Sequence, residues 1–424
     1  MNPYQPVRPT AVRMLFAAST IVALAACGGG GGGGAAPSPA PNTPSPAPSP
    51  PPPPPPPPVA VTPMVAAGNG FSLALKTDGT VASWGDQGSG QLGNNVVNAV
   101  AQRNAQTVTN LSNARKVAAG EFHAVALRAD GTVVAWGSNA DGKLGIGAIG
   151  GVFPTPQTVA GLTNVTAIAA GLDHALALRG DGTVWAWGQN DVCQLGQNDT
   201  TSRGTATQVA GLTNVTAIAA GGAHSFALRS DGAVFAWGWN ANGQLGLGNV
   251  STAACTPVRV TALDGRGVVE LAAGGFHSLA RTSLGAALGW GSNSGGQTGS
   301  GTPGSGNVLA PTVVSGLLGV TALAAGDTHS VALRNDGTIR TWGNNSSGRL
   351  GNGTSGVTQS TSVPQVPQVS TVTAIAAGFN HSLVVLQDGR VGCFGSNFTS
   401  QCGRIEITDL TTPVEVGPGF RVNP

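Results

Sequence analysis

One pattern occurs seven times along this chain of 424 residues, and no other feature limits its fold as strongly. Each copy holds an apolar residue with Ala-Ala-Gly, an apolar segment, a turn with Gly, a Trp-Gly pair and a Gly-rich loop. The copies begin 50 to 53 residues apart, at Val65, Val117, Ile168, Ile218, Leu271, Leu323 and Ile375. Regular repeats of this length indicate a propeller or a solenoid.

Each copy predicts four short strands: a small inner strand at Ala-Ala, a second after a His position, a third ending at Trp and a fourth at a Pro/Val segment. An Asp-Gly pair such as Asp181-Gly182 separates the second and third strands and favours a type I′ hairpin, with positive φ at both residues. Small residues suit the crowded axis of a ring. We therefore expect an all-β fold over residues 59–424, a seven-bladed β-propeller with four antiparallel strands per blade. The blades are expected to start near residues 62, 114, 165, 215, 268, 320 and 372.

Residues 1–26 have the organisation of an export signal, with Arg8 and Arg13 ahead of an apolar run too short to span a bilayer. The run ends in Leu24-Ala25-Ala26-Cys27, which resembles the bacterial lipobox, whose Cys is lipidated and becomes the new N-terminus. Gly28 is not the Asp that, in such proteins, favours the inner membrane. Cys27 is the expected lipidation site, and the outer membrane, on its periplasmic or outer side, is the expected location. The alternative is a plain signal peptide with an incidental Cys.

Residues 27–58 form a predicted disordered linker rich in Gly and Pro. Seven consecutive glycines begin at Gly28, and nine consecutive prolines occupy residues 50–58. At about 3.1 Å per residue, a polyproline II segment over residues 37–58 would reach roughly 70 Å. Such a stalk lifts a domain off a surface. Pro-rich segments also serve as ligands for aromatic-lined grooves.

The charge of the mature chain is balanced. The sequence has 20 Lys and Arg against 18 Asp and Glu, and removal of Arg8 and Arg13 leaves 18 of each. A neutral chain has no electrostatic affinity for nucleic acid. We expect a monomer that contacts a membrane only through its lipid.

The repeat resembles that of the regulator of chromosome condensation family. The shared residues are Ala-Ala-Gly, the His, Asp-Gly, Trp-Gly and Gly-Gln-Leu-Gly, and they recur over residues 62 to about 416. The resemblance implies a seven-bladed propeller. This chain departs from the pattern at Phe71 in place of the first His, Phe394 in place of the last Trp, and Cys402 at a Leu position.

The six histidines share one repeat position and predict a structural role. Equivalent positions in different blades lie around a ring, whereas metal donors must converge to about 2 Å from one ion. The repeated Trp likewise predicts packing between blades. No motif of a nucleophile, a metallohydrolase or a phosphate-binding loop stands in its proper context. We expect no enzymatic activity, no metal and no cofactor.

Four cysteines remain after Cys27, an even number that suits an oxidising compartment. Cys393 and Cys402 lie across the end of one strand and its loop, and Cys193 and Cys255 lie in loops at the same end of adjacent blades. These two pairs are the expected disulfides. Small buried thiols are the alternative.

Candidate binding residues lie on one face of the ring. Loops after the first and third strands share this face, and the Asp-Gly turns share the other, from which the stalk enters. The face carries carboxylates and aromatic side chains, which are typical anchors for a protein partner. These residues are Glu121, Phe122, Asp173, Trp239, Phe276, Asp327, Phe379 and Phe398. The alternative is that the aromatics tuck inward and cover the blade tops.

These observations favour a surface-displayed module that binds a protein, or else a glycan. A structural envelope protein without a dedicated ligand is the second hypothesis. Nuclear members of the family that the repeat resembles act as guanine-nucleotide exchange factors and bind chromatin. An exported, neutral chain is not expected to encounter a nuclear GTPase or chromatin.

Overall fold

The structure is a computed structural model that describes residues 61–300, 306–356, 366–367 and 369–423. The export signal, Cys27 and the linker predicted over residues 27–58 lie outside these ranges. Within them the chain is built from strands and turns, with one short 3-10 helix, Thr261–Leu263. No helix in the described ranges has the length and apolar character needed to cross a membrane.

The strands follow the repeat in chain order. Blades 1 to 3 comprise β1 Met64–Ala67, β2 Phe71–Leu75, β3 Val81–Gly85, β4 Gln102–Thr107, β5 Ala114–Ala119, β6 His123–Arg128, β7 Val133–Ser138, β8 Val152–Thr158, β9 Val165–Ala170, β10 His174–Arg179, β11 Val184–Gly188 and β12 Arg203–Gln208. Blades 4 and 5 comprise β13 Val215–Ala220, β14 His224–Arg229, β15 Val234–Trp239, β16 Ala253–Arg259, β17 Val268–Ala273, β18 His277–Thr282, β19 Ala287–Gly291 and β20 Val308–Val313. Blades 6 and 7 comprise β21 Val320–Ala325, β22 His329–Arg334, β23 Ile339–Gly343, β24 Val372–Ala377, β25 His381–Leu386, β26 Val391–Gly395 and β27 Leu410–Glu415.

Each blade is a separate antiparallel sheet whose strands pair in sequence order. Six sheets have four strands, and the sixth blade has three in the described chain, with residues 357–365 lying outside it. β1 contacts β24 as well as β5, so the first and last blades are neighbours. The predicted all-β, seven-bladed propeller is confirmed.

The hairpin between the second and third strands is not the predicted type I′ turn. Gly182 has a φ of +77°, but Asp181 is not among the residues with positive φ. The Gly182 amide donates to the Arg179 carbonyl at 2.9 Å, and the Arg179 amide donates to the Thr183 carbonyl at 3.0 Å. This is a three-residue loop, a type I turn followed by a left-handed Gly. Asp181 keeps a negative φ because its Oδ1 accepts from the amide and hydroxyl of Thr183.

The Gly of Ala-Ala-Gly is required by close packing around the axis. A Cβ on Gly171 would lie 2.3 Å from Cε1 of His174 and 2.5 Å from the carbonyl oxygen of Gly221 in the next blade. Just beyond these glycines, backbone amides donate to carbonyls of the next blade around the whole ring. The seven bonds are Asn69 to Glu121, Glu121 to Leu172, Leu172 to Gly222, Gly222 to Gly274, Gly275 to Gly326, Asp327 to Gly378, and Phe379 to Gly68. They surround a central cavity of about 120 Å³.

A second set of contacts joins neighbouring blades. We call each boundary between two blades a seam. At the centre of each seam is a buried backbone carbonyl. It belongs to the residue that aligns with Gln of the Gly-Gln-Leu-Gly loop, and we call this residue the Gln position. At six seams this carbonyl accepts from the Trp Nε1 of the next blade at 2.8 to 3.0 Å. The Gln positions are Gln91, Lys143, Gln194, Gln244, Gln297, Arg349 and Gln401.

At five seams a buried Ser and a buried His complete the network. The Ser Oγ donates to the Gln-position carbonyl, at 2.7 to 3.2 Å. The pairs of His Nε2 and Ser Oγ are His174 with Ser225, His224 with Ser278, His277 with Ser330, His329 with Ser382, and His381 with Ser72, at 2.8 to 2.9 Å. Since the single hydroxyl proton is used by the carbonyl, Nε2 carries the proton that the Ser accepts. The histidines are therefore neutral donors, as the predicted structural role requires.

Three departures from the repeat have a local cause at the seams. Phe71 replaces His in blade 1 and packs in one cluster with Ala124, which stands where other blades have Ser. His123 faces a blade with Ala175 at that position, and its two ring nitrogens are buried with no hydrogen bond. Phe394 has no side-chain N–H, so the Arg349 carbonyl lacks the Trp donor of the other seams and keeps the Ser382 hydroxyl, at 3.2 Å.

Two disulfides join the cysteine pairs expected from the sequence. Cys193–Cys255 links the loop after β11 in blade 3 to β16 in blade 4. Cys393–Cys402 links β26 to the loop that follows it. In blade 1 the equivalent contact is a hydrogen bond, from the Ser83 hydroxyl to the Leu92 carbonyl at 2.6 Å. The Cys393–Cys402 disulfide thus reinforces a contact that the repeat already makes within a blade.

Restoring the missing Ser should stabilise the propeller. In Ala175→Ser the new hydroxyl can donate to the Lys143 carbonyl and accept from His123 Nε2. We expect the free energy of unfolding to rise by about 1 kcal/mol, the usual worth of a buried hydrogen bond. Chemical denaturation measures it. Ala124→Ser is the control, because its hydroxyl can donate to the Gln91 carbonyl but Phe71 supplies no imidazole donor, and equal effects of the two changes would contradict the proposed pairing with His123.

The buried histidines should make folding sensitive to acid. Burial lowers the pKa of His174 to about 4 and those of His224, His277 and His381 to about 3. Unfolded histidines bind protons near pH 6.5 and the folded ones do not, so stability falls as the pH drops below 7, by about 1.3 kcal/mol per histidine down to pH 5.5. Asp327, whose pKa is raised by burial to about 6, acts in the opposite direction, as do Glu121, Asp141 and Asp409, whose pKa values burial also raises.

Calorimetry at pH 7 and pH 5.5 tests this sensitivity. The melting temperature should be clearly lower at pH 5.5, and His277→Gln, which keeps a donor for Ser330 but does not titrate, should reduce the difference. A melting temperature that is the same at both pH values would show that the histidines are not neutral in the fold.

Candidate binding face

The long-loop face consists of the loops between first and second strands and the loops that follow the third strands. The structure places every predicted binding residue on it. Glu121, Phe122, Asp173, Phe276, Asp327 and Phe379 lie in loops of the first kind, Trp239 ends β15, and Phe398 lies in the loop after β26. Phe398 is 63% exposed, whereas the other aromatics are half-buried. The face is therefore only partly open, and its aromatic residues are not one continuous patch.

Two cations that the sequence analysis missed lie among the carboxylates. Lys143 and Arg349 occupy Gln positions, and both are at least 95% buried. Lys143 forms an ion pair with Asp173 of the next blade. Arg349 donates to the hydroxyls of Thr328 and Ser346, at 2.8 and 2.7 Å. The departure of two Gln positions from the repeat was the signal that could have identified them.

The remaining carboxylates are held in an environment that favours their protonated form. Burial, and secondly the charge of Asp173, raises the pKa of Glu121, whose Oε1 accepts from Asn69 at 3.3 Å. Burial raises the pKa of Asp327 to about 6, although Arg349 partly offsets it. In the described ranges no three His, Cys, Asp or Glu side chains lie close enough to hold a metal ion.

The clearest departure from the repeat lies at the seam between blades 4 and 5. Trp239 packs edge-to-face on Phe276, with ring centroids 5.4 Å apart. The other six copies have polar residues at the Trp239 position, namely Asp86, Ser138, Gln189, Ser292, Asn344 and Ser396. The architecture therefore does not need an aromatic there. Trp237, two residues earlier, is fully buried, and every blade but the seventh has Trp at the equivalent position.

A buried amide beneath this pair has lost its acceptor. In blades 1, 3 and 5 the Gln-position Nε2 donates to the side chain at the Trp239 position: Gln91 to Asp86, Gln194 to Gln189, and Gln297 to Ser292, at 3.0 to 3.3 Å. Gln244 is fully buried, and its Nε2 has no hydrogen-bond partner. A buried donor without a partner costs about 1 to 3 kcal/mol. Trp239 is thus retained at a cost to the fold.

Models of known families match most of the propeller. The RCC1-like domain matches residues 43–275, and the regulator of chromosome condensation (RCC1) repeat matches residues 268–297, 320–349 and 372–403. The chain belongs to the RCC1 family. This agrees with the resemblance of its repeats.

Relatives of the RCC1 family differ in what surrounds the propeller. The ultraviolet-B receptor UVR8 of Arabidopsis thaliana is 30% identical over 356 residues, which are 82% of this chain and 80% of UVR8. Human HERC6, named a probable E3 ubiquitin-protein ligase, is 36% identical over 298 residues, 68% of this chain but only 24% of HERC6. The chain therefore spans about a quarter of HERC6. The structure of Prp20p from Saccharomyces cerevisiae, a protein that binds Gsp1p and histones, has a TM-score of 0.71 at 24% identity and covers 81% of this chain and 87% of Prp20p.

Two neighbouring tryptophans should respond differently to the same change. Trp237→Ser removes a core ring and the Nε1 bond to the Gln194 carbonyl, so we expect a loss of about 3 to 5 kcal/mol. Trp239→Ser loses the contact with Phe276 but gives Gln244 the acceptor that Ser292 gives Gln297. We expect the free energy of unfolding to change by less than about 1 kcal/mol. Urea denaturation compares them, and a large loss for Trp239→Ser would mean that Trp239 serves the fold.

Proposed function

We propose that this chain is an exported, lipid-anchored RCC1-family propeller that binds another protein through its long-loop face. The observation that carries the proposal is Trp239: it replaces a polar residue of the repeat, is half-buried beside Phe276 and leaves Gln244 without an acceptor. A side chain kept against the stability of the fold is a feature of functional sites. Trp is also among the residues that are enriched at the energetic hot spots of protein interfaces.

The export part of the proposal is supported by the sequence of residues 1–27. An export signal followed by Leu24-Ala25-Ala26-Cys27 suits a lipoprotein. The two disulfides suit an oxidising compartment. The chain enters β1 on the turn face, where the Val61 amide donates to the Thr77 carbonyl at 3.4 Å. The described chain therefore begins on the face opposite the candidate binding residues.

Other functions of RCC1 relatives have less support here. Gsp1p and histones are partners of Prp20p, and the likeness to Prp20p at 24% identity shows the fold alone. The name of HERC6 describes a much longer protein. A glycan ligand and a purely structural envelope role are the alternatives to protein binding, and the capture experiment below separates them.

Lipidation is tested on the mature N-terminus. In the wild-type protein we expect mass spectrometry to find a lipid-modified Cys27 as the first residue. Cys27→Ser should block the lipobox-type cleavage and move any correctly processed protein from the membrane to the soluble fraction. A mature N-terminus at an unmodified residue other than Cys27 would show that the protein is not anchored in this way.

Binding is tested by capture with the soluble propeller, residues 59–424, as bait for envelope and extracellular proteins and for glycans. Trp239→Ser and Phe122→Ala should each weaken binding of the captured partner by about 1 kcal/mol or more. Arg229→Ala, on the turn face, is the control and should leave affinity unchanged. Equal losses on both faces would contradict the assignment of the face, and no ligand sensitive to Trp239 would favour the structural role.

A further inference from the structure

The seam between blades 4 and 5, which we call seam 4–5, consists on the long-loop face of Trp239, Gln244 and Phe276. Side chains at the Gln position reach two neighbours, one in their own blade and one in the next blade. In blades 1, 3 and 5 they bond the residue equivalent to Trp239, and Lys143 bonds Asp173, which is equivalent to Phe276. At seam 4–5 aromatic rings replace both of these polar partners. An unused amide donor therefore lies next to an aromatic pair.

The chain segments that form seam 4–5 carry no charge, although the Asp327 carboxylate of blade 6 lies against Gly275, next to Phe276. Residues 232–258, 271–280 and 282–326 include no Lys, Arg, Asp or Glu. Blades 2 and 3, by contrast, present Glu121, Asp141, Lys143 and Asp173 on the same face. A ligand of seam 4–5 should thus be neutral, should offer flat apolar groups to Trp239 and Phe276, and should supply a hydrogen-bond acceptor for Gln244.

Polyproline has this combination of properties. Proline has a carbonyl acceptor but no backbone N–H, and its rings are compact and apolar. Extended Pro-rich segments bind aromatic-lined grooves with little loss of entropy, because the polyproline II helix is already formed. This chain carries such a segment itself: residues 37–58 contain nine consecutive prolines, and no charged residue occurs from Gly28 to Leu75.

We propose that seam 4–5 binds the Pro-rich segment, residues 37–58, of a second copy of this chain. The proposal rests on the proposed function of the long-loop face and names the occupant of its aromatic site. A second copy is required because the chain enters the ring at blade 1 on the turn face, whereas seam 4–5 lies across the ring on the other face. Nine consecutive prolines favour polyproline II, which would span about 28 Å and would disfavour turning back around the rim.

The contact would join seam 4–5 of one copy to the Pro-rich segment of another. An assembly of two copies would still have one unoccupied seam 4–5 and one unbound Pro-rich segment. Such a head-to-tail contact extends into open chains rather than closing as a symmetric dimer. Copies anchored in one membrane would be linked by their stalks.

A labelled peptide of residues 37–58 tests the binding by fluorescence anisotropy. The receptor is the propeller of residues 59–424, since all seven seams lie within it. We expect saturable binding that Trp239→Ser weakens at least tenfold. Phe398→Ser, which removes the most exposed aromatic of the same face, is the matched control and should change affinity less than twofold. A peptide with serine at residues 50–58 should bind at least tenfold more weakly than the native peptide.

Self-association is measured on the whole mature chain made soluble by Cys27→Ser. Sedimentation velocity should show concentration-dependent assembly that Trp239→Ser abolishes while the melting temperature stays within a few degrees of the parent protein. A chain that stays monomeric at high micromolar concentration, or a peptide that binds Trp239→Ser and Phe398→Ser equally, would overturn the proposal.

The outcomes separate this proposal from the broader one. If a neutral oligosaccharide such as cellohexaose or chitohexaose binds in a Trp239-dependent manner and the peptide does not, the occupant is a glycan and the Pro-rich proposal is wrong. If another captured protein requires Trp239 and the peptide does not bind, the binding face stands without self-recognition. If nothing requires Trp239, both proposals fail.

Discussion

The propeller depends on one buried carbonyl group in each blade, at the Gln position. Six of these carbonyls accept from a Trp N–H of the next blade, and five accept from a Ser hydroxyl. In a dry seam, an acceptor with these donors is a strong and directional contact, and leaving it unpaired would be costly. It also explains why the Gln side chain can vary. Lys143 and Arg349 keep the carbonyl and change only what lies above it.

This separation of backbone from side chain leaves the long-loop face free to diverge. Below the face, the seams repeat with little change. Above it, the Trp239 position holds a hydrogen-bond acceptor in blades 1, 3 and 5, and the Gln position holds an ion-paired Lys in blade 2. Because these polar groups are buried, each exchange of a side chain either provides a hydrogen-bond partner or leaves a polar atom without one. Function in this fold is therefore identified from departures within a strict pattern rather than from a motif.

The fold could be predicted from the sequence because strand length, turn residues, small inner residues and buried Trp all indicate the same propeller architecture. The sequence was also sufficient for the role of the histidines, since equivalent positions on a ring cannot converge on one ion. It was insufficient for the hairpins, where the Asp side chain bonds Thr183 and keeps the Asp at negative φ. It could not reveal the lost acceptor of Gln244, because that requires knowing that the side chain at the Gln position folds back onto the residue five positions earlier.

The last blade and the first meet without exchanging a strand. β1–β4 and β24–β27 are each formed from consecutive residues, and the seam between them uses the same atoms as the others, with Ser72 bonding both His381 and the Gln401 carbonyl. Both ends of the described propeller lie beside Thr77, which bonds Val61 and Val422. The ring therefore has no structurally privileged beginning. A circular permutant that joins these two ends and opens the chain at the exposed Gly211, between blades 3 and 4, would keep every strand and every seam, so the order of synthesis and the closed architecture are independent of each other.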